Sequence, residues 1–247
     1  MVWISYAQNF EDVILMRALS DVKNGFYIDV GAQHPRVDSV SRAFYEKGWR
    51  GIHVEPVSIY AQALAADRPD ETVVQAMLGG RKGSTCFYEI PQTGLSTAVE
   101  SIAREHIARG FSVVEIEVEQ TNLDAVFQLA KGRDIHWLKI DVEGSEHLVL
   151  GGWLRNPSRP WVVVVESTFP LSQVESHQNW EAYLLRRGYR FVYFDGLNRF
   201  YLHRDHLNLK PAFNYGPCVF DGFALSGLAN SPFCSHVMHQ AQTGLTD

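Results

Sequence analysis

Short apolar runs alternate along the chain with stretches of helical periodicity. Residues 26–32 (FYIDVGA) form an apolar run that ends in glycine, the pattern of a buried strand. Asp38 stands where it can cap a following helix whose Val40, Ala43 and Phe44 share one face, with Gly48 at its end. Residues 51–56 (GIHVEP) predict a second strand. Ser58 is placed to cap a helix that ends before Pro69. Residues 72–77 (TVVQAM) predict a third strand, and residues 86–90 another outside the regular alternation. Thr97 and Glu100 have capping-box spacing for a helix reaching about Gly110. Residues 113–119 alternate strictly, with Val114, Ile116 and Val118 opposite Glu115, Glu117 and Glu119, which predicts a strand near an edge with one wet face. A helix over 123–130 leads to two apolar runs, 135–141 and 161–167, which read as central strands with a helix between them. A helix over 174–187 stops at Gly188. Residues 189–203 then read as a hairpin around the turn Asp195-Gly196-Leu197-Asn198.

Strand and helix in alternation predict an α/β fold, Rossmann-like, with a mostly parallel sheet covered by helices on both faces and an antiparallel hairpin at its end. At 247 residues the chain suits one sizeable domain. We expect it over 1–225, with 1–24 as an N-terminal helical segment and 226–247 as a loosely ordered tail of small and polar residues. The formal charge of −6 argues against a nucleic-acid partner. Cys86, Cys218 and Cys234 are odd in number and widely spaced, so no disulfide framework is expected. The N-terminus lacks the pattern of a secretory signal, and no apolar run is long enough to span a bilayer. A cytoplasmic location is the expectation.

The candidate chemistry sits at strand ends, where parallel sheets bind ligands. Asp29-Val30-Gly31-Ala32 closes the first strand, and its glycine lets the backbone approach a ligand. Gln33 and His34 follow instead of a glycine-rich cradle, which disfavours a pyrophosphate cofactor. Glu55-Pro56 closes the second strand, near the ~20-residue offset at which an acid meets ribose hydroxyls in nucleotide folds. A ribose-binding acid without a phosphate cradle suits S-adenosylmethionine, a nucleoside without phosphates. Lys139-Ile140-Asp141-Val142-Glu143-Gly144-Ser145-Glu146 brings acids directly after an apolar strand, and Glu166 ends another. Asp29, Gly31, Ala32, Glu55, Pro56, Ala76 and Asp141 are therefore the candidate cofactor-binding residues.

Taken together, YIDVGA, HVEP, Gly94-Leu95-Ser96-Thr97, LKIDVEGSE with the following Val149-Leu150-Gly151-Gly152, and YFDGLNRFY resemble the FkbM family of methyltransferases. The resemblance runs from about Ser5 to Phe223. It implies a class I methyltransferase fold with a seven-stranded sheet and S-adenosylmethionine as cofactor. The reaction it implies is O-methylation of a hydroxyl. SYAQNFEDVIL at the start and FDGLNRFY near the end resemble the branch tied to bacterial surface-glycan synthesis. That points to a sugar hydroxyl of a surface polysaccharide or related glycoconjugate as acceptor.

A sugar hydroxyl needs a base or a metal to make it nucleophilic. Asp141, Glu143, Glu166, His34 and His177 are the catalytic candidates. Histidine has the best ordinary pKa for the task, and Asp141 with Glu166 offers a place for a divalent cation such as Mg2+. No ligand set is determined by spacing, and the oligomeric state is not encoded in any visible pattern. Two other functions compete. One is a non-catalytic, Rossmann-like module that binds a nucleotide or glycan. The other is a nicotinamide-dependent sugar-modifying enzyme, which commonly needs a Tyr-x-x-x-Lys pair. Here Tyr45 and Lys47 are too close for that.

Overall fold

The computed structural model describes residues 2–230. The chain begins with β1 (Trp3–Ser5) and α1 (Glu11–Ala18), followed by β2 (Phe26–Val30), α2 (Arg42–Glu46), β3 (Arg50–Val54), α3 (Ser58–Asp67) and β4 (Thr72–Val74). Next come β5 (Met77–Leu78), β6 (Gly83–Glu89), α4 (Glu100–Ala108), β7 (Val114–Thr121), α5 (Leu123–Leu129), β8 (Trp137–Ile140) and α6 (Glu146–Gly151). β9 (Val162–Glu166), α7 (Glu181–Arg186), β10 (Tyr189–Phe194), β11 (Asn198–His203) and β12 (Phe223–Leu225) complete the described elements, with three 3-10 helices between the last of them.

The main sheet has seven strands in the order β10-β11-β9-β8-β2-β3-β4. β4, β3, β2, β8 and β9 run parallel, and β11 is antiparallel to both its neighbours. This is the expected α/β class. Its central strands alternate between two cores. Val163 and Val165 pack with Leu123, Phe127, Val149 and Leu184 on the α5–α7 face. Val162 and Val164 pack with Val13, Ile14 and Phe44 on the α1–α2 face. All four valines are fully buried, and each such side chain contributes roughly 1.5–3 kcal/mol. Their apolar run reads as continuous because both faces of a parallel sheet are covered.

The structure corrects several expectations. Residues 1–24 are not purely helical, because β1 precedes α1 and pairs in parallel with β12. The 72–77 segment is two strands. A tight turn, with Ala76 N–H donating to the Val74 carbonyl, moves the chain from the main sheet into a second one. That second sheet has the order β5-β7-β6, so the alternating β7 lies at its centre and not at the edge of the main sheet. Asp38 does not cap a helix. It has a φ of 55°, α2 starts at Arg42, and its carboxylate accepts from the backbone and side chain of Asn230. Ser58 opens α3 without capping it, and Val57 holds the cap position. Thr97 lies outside α4, whose cap position is Val99. The helix expected from 174 begins only at Glu181, because Thr168 and Glu175 form a bridge and a 3-10 turn (His177–Asn179) follows. Of the expected tail, 226–230 are described, with Ser226 N–H bound to the Ser5 carbonyl, and the rest lies outside the described residues. Among the described residues no helix is long and apolar enough to cross a membrane.

Candidate active site

The carboxyl ends of β2, β3, β8 and β9 open into one cavity of about 460 Å³. It is lined by Asp29, Gly31, Ala32, Glu55, Pro56, Ala76 and Asp141, and also by Glu143 and Glu166. Gly31 follows β2 and lies against Asp141 at the end of the neighbouring β8. Its φ is +81°, and a Cβ there would stand 1.7 Å from the Asp141 carbonyl oxygen. Only glycine fits, for conformation and for space.

Glu55 follows β3 at the entry to α3 and is 4% exposed. Its Oε2 accepts from Gln33 N–H and its Oε1 from Val57 N–H, each at 2.8 Å. Burial pushes the carboxyl up to about 7, although both amides pull it down. Each oxygen keeps a free lone pair for a further donor. Beside it, Val57, Met77, Phe87 and Val118 form a small apolar core with Tyr60 against it. Val57, Tyr60, Met77 and Phe87 turn part of that core to the cavity as an apolar wall. The second sheet supplies Met77 and Phe87, and sequence reasoning missed this contribution. The loop 92–96 also lines the cavity and is latched there by Gln33 Nε2 donating to the Thr93 carbonyl.

A second group of charges gathers around Lys139. This lysine lies beside Asp29 across β2 and β8, and its Nζ donates to Asp141 Oδ2 at 2.6 Å. Burial opposes its charge, but Asp141, Glu11 and Asp29 outweigh that and keep the ammonium protonated. Burial alone would raise Asp141. Lys139 and a hydrogen bond from Glu166 prevail and hold its carboxyl below the ordinary value. Glu166 is pushed well up, first by burial and then by Asp141 and Glu143. Glu143 is likewise raised by burial and by Asp141 and Glu146.

Glu143 reaches the cluster from an unusual backbone, with φ 50°, followed by Gly144 at φ 96°. The Thr97 hydroxyl donates to the Glu143 carbonyl at 2.7 Å and pins this turn. Glu146 lies apart in function, because its Oε1 accepts from Gly144 N–H. Glu11 was not among the sequence candidates, yet it lines the cavity and is buried. Its Oε1 accepts from Asn198 Nδ2, so the N-terminal segment and the β10–β11 hairpin meet at the site. Burial raises its carboxyl to about 7.

The two histidine candidates are not brought to the cavity. His34 Nδ1 accepts from the backbone N–H of Arg36 and Val37, so it braces the turn after Gly31. His177 Nδ1 faces Glu175 at 3.0 Å, outside the lining.

Comparison with known proteins adds to this geometry. The structure is similar to a TehB-like SAM-dependent methyltransferase from Corynebacterium glutamicum, with a TM-score of 0.44 and 10% identity over 78% of this chain and 87% of that one. It is similar also to an O-methyltransferase from Bacillus cereus in complex with SAH, with a TM-score of 0.37 and 10% identity over 81% of this chain and 80% of that one. No curated protein matches the sequence. Residues 29–191, which include every strand end around the cavity, match the family model of the methyltransferase FkbM domain. The chain belongs to the FkbM methyltransferase family.

Proposed function

We propose that the protein is an S-adenosylmethionine-dependent O-methyltransferase that acts on a sugar hydroxyl of a bacterial surface glycan or related glycoconjugate. The observation that carries this reading is the charge of the cavity. Among the described lining residues, Lys139 is the only basic side chain and is already paired with Asp141, while Glu11, Asp29, Asp38, Glu55, Asp141, Glu143 and Glu166 all carry carboxyls. Such a lining repels phosphates and favours a cationic ligand. That disfavours NAD and suits a nucleoside bearing a sulfonium.

The residues fit this cofactor. Glu55 has lone pairs left for ribose hydroxyls, and the wall of Tyr60, Met77 and Phe87 offers apolar surface to a flat base. Bound adenosylmethionine supplies an already activated methyl group. The protein then has to orient the acceptor and remove its proton. Asp141 is the ionised member of the cluster and accepts the proton of the acceptor hydroxyl. Lys139 keeps Asp141 charged, and Glu166 is hydrogen-bonded to it. Asp38 and Asn230, hydrogen-bonded to each other, join Glu11 as further lining groups suited to a polyhydroxyl acceptor. His34 and His177 are assigned no step. The cytoplasmic setting expected from the cysteine pattern belongs to the same reading.

Titration with adenosylmethionine, adenosylhomocysteine and NAD tests it. The first two should bind and NAD should not. Glu55→Ala should weaken both by about 100-fold, since it removes the ribose acceptor and strands two backbone N–H groups. Binding of NAD alone would overturn the assignment. Transfer of label from adenosylmethionine to glycan acceptors then tests the acceptor class. A product methylated at nitrogen or carbon would rule out O-methylation.

A further inference from the structure

We propose that Asp141, Glu143 and Glu166 together hold one divalent cation, Mg2+ or Mn2+, a site that rests on the methyltransferase reading of the same cavity. One carboxylate oxygen from each residue lies within 4.8 Å of the others. Oxygen ligands about 2.1 Å from an octahedral cation stand at most about 4.2 Å apart, so side-chain adjustments of a few tenths of an ångström close the set onto the ion, and its remaining positions go to water or acceptor oxygens. The ligands are all hard oxygens. No histidine or cysteine joins them among the described residues, which favours Mg2+ or Mn2+ over Zn2+.

Acids alone would not make a site, and the decisive observation is Glu143 Oε2. This atom is buried, has no hydrogen-bond partner, and belongs to a side chain that lines the cavity while its residue is only 9% exposed. A buried polar atom without a partner is costly, so a conformation that keeps one is held for a ligand. The backbone around it points the same way. Glu143 adopts a left-handed φ that the Thr97 hydroxyl secures, and the result is a carboxylate directed at Asp141 and Glu166 rather than at solvent.

The cation replaces the hydrogen bond between Glu166 and Asp141, and the other neighbours leave the three groups free for this role. Lys139 occupies Oδ2 of Asp141 only. Glu146 is taken by Gly144 N–H, and Glu11 by Asn9 N–H and Asn198 Nδ2, so neither is assigned as a ligand. One lysine cannot balance the buried acids around it, and a cation of charge two adds the missing positive charge. A sugar hydroxyl bound to that cation loses its proton more readily, which complements the acceptance of that proton by a carboxylate.

The test uses the full chain, stripped with chelator and dialysed. Mn2+ alone is titrated while free Mn2+ is followed by electron paramagnetic resonance, and adenosylhomocysteine is titrated by calorimetry on the same preparation. The expected result is one Mn2+ per chain, displaced by excess Mg2+. Glu143→Gln should weaken Mn2+ at least tenfold with adenosylhomocysteine affinity kept within about twofold. Glu166→Gln serves as a second variant where Glu143→Gln does not fold, and Glu146→Gln should stay near wild type. If Mn2+ fails to bind while adenosylhomocysteine binds, the cation site is wrong and the methyltransferase reading stands. If Mn2+ binds and adenosylhomocysteine does not, the cofactor reading is wrong instead. Unchanged Mn2+ affinity in both ligand variants would overturn the residue assignment.

Discussion

The two ends of the cavity treat buried carboxyls in opposite ways. At Glu55 each oxygen meets a backbone amide, the apolar wall is already in place, and the group is isolated from other acids except Asp29 and Glu89. Around Lys139 the acids crowd one another, Glu143 keeps an oxygen without a partner, and burial with the neighbouring acids pushes Glu166 well up. The first end is complete before its ligand arrives, as binding sites for a constant cofactor tend to be when preorganised. The second is incomplete without a further partner, which fits the place where a variable acceptor and its activating groups assemble.

Gly31 is where the comparison breaks most severely, because its N–H holds the Val54 carbonyl just before Glu55 while its α-carbon lies beside the Asp141 carbonyl. Gly31→Ala forces a Cβ against the Asp141 carbonyl at a left-handed φ. A loss of roughly 3 kcal/mol or more in unfolding free energy is expected. Adenosylhomocysteine and Mn2+ binding should fall together. Denaturant unfolding and the two titrations check this, and retention of either ligand at wild-type affinity would show that the ends are independent of that contact.

The strand ends were legible because a buried parallel strand leaves an apolar run with a hard stop. Gly31, Glu55, Asp141 and Glu166 all sit at such stops and all line the cavity. Positions with two possible uses were not legible. Asp38 and Thr97 have the composition and spacing of helix caps. The same short polar side chains are equally good at distant bonds, to Asn230 and to the Glu143 carbonyl respectively. Glu11 is an acid in the first turn of α1, and nothing local announces its bond to Asn198, 187 residues away. The apolar wall was hidden for a related reason. Met77 reads as the end of the third strand until the turn at Ala76 is seen to carry it into a second sheet.

Thr97 sharpens the comparison, because it serves the acid cluster without lining the cavity. Thr97→Val keeps the shape but removes the donor to the Glu143 carbonyl and an acceptor for Val99 N–H. A destabilisation of about 2 kcal/mol is expected. Mn2+ affinity should drop several-fold as Glu143 loosens, with adenosylhomocysteine binding nearly unchanged. Thr97→Ser should restore both stability and Mn2+ affinity. Equal weakening of both ligands would mean that Thr97 acts on the whole cavity rather than on one end.

The smallest expected effect is in pH, and it isolates the Glu55 end. Ribose hydroxyls donate to a carboxylate, so binding favours the ionised form of Glu55. Burial raises that carboxyl to about 7 from an ordinary 4.5, so the free protein is partly protonated near neutrality and must release a proton to bind. Adenosylhomocysteine affinity should therefore rise about tenfold from pH 6 to pH 8 and level off above that. Unfolding free energy without ligand should move the opposite way. Between 4.5 and about 7 the folded state keeps a proton on Glu55 that the unfolded chain has released, so its contribution to stability is full below 4.5 and is lost as pH rises through 7. Glu11 and Glu146, each raised to about 7 by burial, add to the same slope in stability and not to ribose recognition. Glu55→Gln should bind more weakly and flatten the affinity profile while most of the stability slope persists. If its affinity profile stays as steep as that of the wild type, the proton responsible belongs to the crowded end, and Glu55 is not the group that reads the ribose.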